Sequence, residues 1–286
     1  MSAPTSYPFA ATGSAGRHLL DSPENVGTAG QGHLGKVYLV GAGPGAVDLL
    51  TLRAARLLEH ADIVFHDALV NPDVLLLAKR ARLIAVGKRS GRLSTAQQFI
   101  NRQLVDAATH HQCVVRLKGG DPMLFGRAQE EISALRLAGI AVEIVPGISA
   151  AFGASAEVGQ SLTRRGMSRS VLFLTPAVGK GEIPHEWALA TRDVDTVVLY
   201  MAGRQAQDIA DGLLAVGSAP DRPAVLVENA SLPNQRIWPT TVARLAEAAR
   251  ELENGPALIL VGDVYAELLS EIAVDHSVVT HHHAAA

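Results

Sequence analysis

The sequence predicts an α/β protein with two α/β domains around a central cleft. Three observations carry that expectation. Short runs of branched apolar residues alternate with longer stretches of helical period; every glycine turn of the first half falls at the carboxyl end of a strand-like run; and the alternation breaks once, at QSLTRRGMS (160–168). A chain of 286 residues accommodates two domains of about 110–140 residues each. Apolar residues make up 48% and charged residues 19%, which suits a globular chain. No run approaches the ~18–20 apolar residues of a membrane span, so no membrane partner is expected. The net charge of −3 argues against bulk nucleic-acid binding. Cys113 is the single cysteine, which excludes an internal disulfide and fits a reducing, cytoplasmic compartment.

Taken in order, residues 1–34 are rich in Gly, Ala, Ser and Pro without sustained period and read as a flexible tail, not a signal peptide. The first domain is expected over 35–158 and the second over 159–275, with a second flexible tail over 276–286. The run KVYLV (36–40) reads as a strand, followed by the turn GAGPG and a helix carrying Leu49, Leu52, Leu57 and Leu58, with Asp48 as its expected cap. DIVFH (62–66) and LIAV (83–86) read as the next strands. Ser94 and Gln97 match a capping box ahead of the helix carrying Phe99, Ile100, Leu104 and Val105. CVVRL (113–117) and 142–145 complete the first set. Tiny residues fill 149–156, which lets a helix approach a neighbour closely. Beyond 170, strands are expected near 171–175, 196–200, 224–227 and 257–261, and helices near 205–216 and 242–253, the last capped by Thr240 or Thr241. His281, His282 and His283 sit in the tail with no second ligand cluster, so no metal site is expected.

The organising stretch is RLKGGDPMLFGRAQEE (116–131), a strand-to-helix turn. Gly119 and Gly120 let backbone N–H groups approach a ligand, and Asp121 offers a carboxylate to hydroxyls or an ammonium. Arg127 and Glu130 lie about one turn apart at the helix start and can face one cleft. Alone, the stretch reads equally well as a plain glycine turn. The earlier turn, Gly41, Gly43 and Ala46, matches G-x-G-x-x-A, with Asp67 ending the next strand as in a dinucleotide-binding unit. Pro44 removes one N–H from that turn, however, and a second glycine site at 119–121 is not something a dinucleotide fold requires.

GAGPG with DLLT (41–51), HDALV (66–70), VGKRSG (86–91), Gln97 with Ile100 and Asn101, RLKGGDP (116–122), FGR, the pair Glu130-Glu131, VPGIS (145–149), SLTRR (161–165), YMA (200–202) and Gln235-Arg236 follow one another over about residues 36–265. In that order and spacing the chain resembles the uroporphyrinogen-III C-methyltransferases, a branch of the tetrapyrrole methyltransferases. The resemblance implies S-adenosylmethionine as cofactor, S-adenosylhomocysteine as its product, no metal, and a homodimer. The reaction it implies is methylation of two pyrrole rings of uroporphyrinogen III to precorrin-2, toward sirohaem or cobalamin. It assigns Pro44, Gly119, Gly120, Asp121, Leu124, Ser149, Ala150, Met201 and Ala230 to the cofactor. Asp67 and Lys88 match the proton acceptor and donor, and Arg127, Glu130 and Arg165 face the substrate, whose eight carboxylates call for arginine forks. Arg164 stands where the family has histidine, and Ala202 and Ala230 where it has glycine, which bears on substrate and rate. Two other readings stay open: a methyltransferase of this fold acting on a different tetrapyrrole, and a tetrapyrrole-binding protein without turnover. Intact Asp67, Lys88 and GGDP weigh against the second.

Overall fold

Strands that are apolar on both faces must be covered on both faces, and the first half builds such a sheet. The computed structural model describes residues 34–86, 93–178, 185–253 and 255–270. Lys88 and, apart from Leu34, the expected tails at 1–34 and 276–286 lie outside the described residues. In the first half, β1 (Lys36–Gly41), β2 (Ile63–His66), β3 (Arg82–Ala85), β4 (Cys113–Lys118) and β5 (Val142–Val145) pair in parallel in the order β3-β2-β4-β1-β5. Helices α1 (Leu52–His60) and α2 (Pro72–Leu75) accompany one face, where Val40, Leu58, Val64, Val74, Val115 and Leu117 are buried together. On the other face Val37, Leu39, Phe65 and Val114 pack against Leu104 of α3 (Leu93–His110) and Ile132 and Leu135 of α4 (Ala128–Leu137). Each fully buried leucine of these layers contributes about 1.5–3 kcal/mol.

Two helix starts differ from expectation. Thr51, not Asp48, caps α1: its hydroxyl accepts the Ala54 N–H at 3.1 Å, while Asp48 lies in the separate 3-10 turn Val47–Leu49 that the long glycine turn feeds. α3 already begins at Leu93, so Ser94 lies inside the helix and not at the expected cap position. Gln97 turns inward instead and donates to Asn101 and to Glu131. α4 ends as expected, with Gly139 at φ +72°.

In the second half, β6 (Val171–Leu174), β7 (Thr196–Leu199), β8 (Pro223–Glu228), β9 (Arg236–Thr241) and β10 (Ala257–Gly262) form a sheet in the order β6-β7-β10-β8-β9. β6 and β7 run parallel and the other pairs antiparallel. The sequence gives no warning of β9, because Pro239 sits in its middle. The proline is tolerated since β9 is an edge strand, and it lies opposite Val225 with no further strand needing its missing N–H. Thr240 and Thr241 belong to β9, and Thr241 makes no side-chain cap. The helix expected over 242–253 is a 3-10 turn, the single turn α7 (Leu245–Ala248) and another 3-10 turn. α6 (Ala206–Ala215) packs with α7 on one face of the sheet.

The opposite face is covered by α5 (Ala150–Val158), whose Ala151 and Ala154 are buried among Val198, Val225, Val227 and Leu260. The tiny residues of α5 thus serve close approach on two sides, since a Cβ on Gly153 would stand 2.7 Å from the Pro44 side chain. No helix among the described residues is long and apolar enough to cross a membrane.

The strand order fixes where the glycine turns meet. β4, β1 and β5 are neighbours, so GAGPG, GGDP and VPGIS leave adjacent strands at the same sheet edge, where connections diverge to opposite sides. They are in contact. A Cβ on Gly147 would stand 2.3 Å from the Gly120 carbonyl oxygen and 2.8 Å from the Gly41 Cα. Gly147→Ala is therefore expected to lower stability by about 1–3 kcal/mol, because backbone must move to admit one methyl group. A thermal melt of the variant within a degree of the parent would show that the three turns can part freely.

Candidate functional site

The cradle is assembled from backbone. Gly43 and Gly120 exchange N–H···O bonds of 3.2 and 2.8 Å, and the Ala42 N–H reaches the Lys118 carbonyl at 2.7 Å. Gly120 adopts φ +67°, and its missing Cβ leaves its Cα side open toward the Ala150 nitrogen and the Ser149 Cα. Asp121 holds the third turn: one carboxylate oxygen accepts the Gly147 N–H at 2.9 Å, the other the Met123 N–H at 2.8 Å. The carboxylate expected to meet a ligand is thus already the tie between GGDP and VPGIS. Pro44, Gly119, Gly120, Asp121, Leu124, Ser149 and Ala150 all lie on these turns or on the helix start that follows them.

The second half closes on the same place. The Tyr200 hydroxyl, at the end of β7, lies 2.6 Å from the Ser149 hydroxyl and accepts the Ala151 N–H at 3.2 Å. Burial raises the Tyr200 pKa above the usual phenol value, so the group stays protonated. Its ring meets Phe125, from the loop after GGDP, with centroids 5.0 Å apart. Met201 follows at φ +55° and is exposed. The Ala230 carbonyl packs against Gly45, and the Ala46 N–H donates to the Ser231 hydroxyl at 3.0 Å. Phe125, Arg127, Met201, Asn229 and Ser231 all have φ between +53° and +66° without being glycine. Such backbone costs on the order of 1–3 kcal/mol per residue and gathers where a site is shaped.

Beneath Asp67 lies a charge network that the sequence did not reveal. Arg116 and Lys118 alternate on the α3/α4 side of β4, and both reach Glu131 on α4. Arg116 donates to Glu131 at 3.0 Å, to the Leu117 carbonyl at 3.1 Å and to Asp67 at 2.5 Å. Lys118 donates to both Glu131 oxygens at 3.1 Å, and Gln97 adds a third donor and a fourth contact at 3.1 Å. Glu131 is fully buried and Arg116 nearly so, whereas the Asp67 side chain is 28% exposed. Burial alone would lower the Arg116 pKa, but Asp67 and Glu131 carry it above the usual value. For Lys118, burial and the adjacent Arg116 win over Glu131, and its pKa is lowered. Two cations on alternate positions of a doubly covered strand were the available signal.

Of the positions that the resemblance assigns to the substrate, Arg127 and Glu130 come together at the start of α4, joined by bonds of 2.6 and 2.7 Å at an exposed place. Arg165 sits in the other half, on the turn closed by the Arg164–Ser168 bridge, and Arg164 itself pairs with Glu267 at 2.7 Å. Lys88 lies outside the described residues. Among the described residues no group of three or more His, Cys, Asp or Glu is placed to hold a metal. A cradle of backbone donors and acceptors, with Leu124, Phe125 and Met201 on its loops and the Asp67 carboxylate at the neighbouring strand end, can hold a ligand that is part polar and part apolar.

The comparisons agree with this geometry. Residues 36–246 match the family model for tetrapyrrole (corrin/porphyrin) methylases. A uroporphyrinogen-III C-methyltransferase of Pseudomonas aeruginosa is 44% identical over 238 residues, covering 83% of this chain and 97% of that protein. A siroheme synthase of a Psychrobacter species is 44% identical over 89% of this chain but only 52% of its own length; the chain spans about half of the siroheme synthases it matches. Among solved structures, a uroporphyrin-III C-methyltransferase from Thermus thermophilus complexed with S-adenosyl homocysteine superposes with a TM-score of 0.70 at 38% identity, covering 80% of this chain and 98% of that one. A cobalt precorrin-4 methyltransferase gives a TM-score of 0.73 at 28% identity over 84% and 99%. With its family model matched over most of its length, its fold shared and its glycine turns converging at one sheet edge, the chain belongs to the tetrapyrrole methylase family.

Proposed function

We propose that the chain is an S-adenosylmethionine-dependent C-methyltransferase that methylates uroporphyrinogen III at two pyrrole rings to give precorrin-2. The observation that carries this reading is the cradle in which GAGPG, GGDP and VPGIS meet under Tyr200-Met201 and Ala230. The 44% identity over nearly the whole Pseudomonas aeruginosa enzyme supports the same substrate. The likeness to the cobalt precorrin-4 methyltransferase supports a second reading, a different tetrapyrrole as acceptor. Anaerobic incubation with uroporphyrinogen III and S-adenosylmethionine, followed by mass spectrometry, separates them: two added methyl groups support the first reading, and none removes it. A homodimer and a cytoplasmic location belong to the proposal as well, supported by the family resemblance and the single cysteine; light scattering giving a monomer mass would remove the former.

The residues present fit S-adenosylmethionine. Gly119, Gly120 and Ala150 present backbone groups on adjoining turns, Gly120 at a φ of +67° that favours glycine, Ser149 and the Tyr200 hydroxyl add polar groups, and Pro44, Leu124, Met201 and Ala230 supply apolar surface. When bound, the cofactor supplies a methyl group already activated on a sulfonium. The chain then has to align a pyrrole carbon with it, exclude water and manage protons. A ring carbon that gains a methyl cation leaves the macrocycle cationic, and a ring proton must depart; Asp67, held by Arg116 and partly exposed, accepts it. Lys88 is the complementary donor in this reading. The Arg127 fork and Arg165 meet substrate carboxylates, with Glu130 keeping the Arg127 guanidinium extended before substrate arrives.

Asp121→Ala is expected to weaken S-adenosylhomocysteine binding in calorimetry by about 1–3 kcal/mol, because it releases two backbone N–H groups and frees VPGIS from GGDP. Unchanged affinity would mean that the turn holds its shape without that tie. Asp67→Asn removes the proton acceptor but keeps the shape. It should lower single-turnover methyl transfer by ~10²–10⁴-fold while S-adenosylhomocysteine affinity and melting temperature stay near those of the parent. Near-parent turnover would assign the proton to water or to a substrate carboxylate.

A further inference from the structure

We infer that the buried Glu131 carboxylate is a shared positioning group: through Arg116 it sets Asp67, and through Lys118 it sets the loop that presents Phe125 and Arg127. The inference rests on the reading of Asp67 as proton acceptor in the proposed methyl transfer. Glu131 has no exposed surface and takes four donor contacts, from Gln97, from Arg116 and, twice, from Lys118. One end of the Arg116 guanidinium is fixed on it while the other end holds Asp67. On the second branch, the Lys118 stem runs under Gly126: its Cε is 3.1 Å from where a Gly126 Cβ would stand, and the Pro122 carbonyl is 2.6 Å from the same point. Gly126 is flanked by Phe125 and Arg127, each at φ +53°. Two residues in that region on either side of a supported glycine need a rigid floor, and Lys118 is that floor.

A carboxylate that only filled space would leave the chemistry of Asp67 untouched, so charge distinguishes the two roles. Among the described residues, the charged or titratable groups around Asp67 are His66 beside it on β2, Arg116 and Lys118 from β4, and Glu131 from α4. α3 contributes the neutral Gln97 and Asn101, and the end of β3 contributes apolar residues. With all four of Asp67, Arg116, Glu131 and Lys118 ionised, two cations balance two anions. Glu131→Gln leaves Arg116 and Lys118 in excess, which favours ionised Asp67. Lys118→Met leaves the anions in excess, which disfavours it.

The test is the pH profile of single-turnover methyl transfer to uroporphyrinogen III by the full chain. In Glu131→Gln the acid limb should move to lower pH by about one unit and the plateau should fall by up to about tenfold, since a base that ionises more readily accepts a proton less well. In Lys118→Met the limb should move the other way. Glu131→Asp, which keeps the charge, should return the limb to its parental position. S-adenosylhomocysteine affinity should stay at the parental value in all three. Limbs that remain in place in both charge-changing variants overturn the inference and leave Glu131 as core support. Should Glu131→Gln fail to fold, the sign of the Lys118→Met shift alone decides. If the parent transfers no methyl group, the functional reading falls and this inference with it; if the parent transfers and the limbs do not move, the inference alone falls.

Discussion

Everything at this site depends on three backbones crossing where there is no room for a side chain. Gly41, Gly120 and Gly147 leave neighbouring strands and touch, and that contact brings glycine turns from sequence positions a hundred residues apart within hydrogen-bond reach. The strand order β4-β1-β5 makes the meeting possible and Asp121 makes it stable. The alternative of longer loops reaching across a wider gap would add conformational freedom that a ligand must remove on binding. Here the ordering is completed on folding, and the ligand meets a finished surface.

The second organising fact is that four ionisable side chains meet between a sheet face and a helix otherwise lined by Val, Leu, Ile and Phe. An unpaired charge there would cost several kcal/mol, so the arrangement is tolerable only because each group finds its counterion and nearly every donor is satisfied. Such a core is a weak source of stability and a strong source of geometry. It allows an acid at a strand end to keep one orientation although it stands at the mouth of the site.

How much of this could be read in the sequence follows from the range over which each signal acts. Strands β1 to β8, β10 and the glycine turns are legible because period and glycine placement are local, and the position of Asp67 at a strand end comes with them. The cap at Thr51 was missed because the GAGPG turn continues into a 3-10 turn that consumes Asp48. β9 was missed because Pro239 argues against a strand unless its edge position is known. Arg116, Lys118 and Glu131 all stood in the stretch that organises the chain, yet their burial could not be inferred. A charged residue in an apolar strand is readable as a core residue only once its partner is located, and Glu131 comes a helical turn after the loop, not beside it. Asp121 shows a role that its type did not announce: its oxygens hold the backbone of its own turns together.

Helix α5 is continuous in sequence with the first sheet, but its buried residues lie on the second. A fragment ending after Val158 would carry an apolar helix with nothing to cover it, and a fragment beginning there would lack the Pro44 surface against which Gly153 rests. The two sheets are therefore not interchangeable cassettes. Recombination could move this unit intact into a longer polypeptide, in keeping with its matching about half of the siroheme synthases, whereas a crossover between its sheets would sever the cradle along with the core.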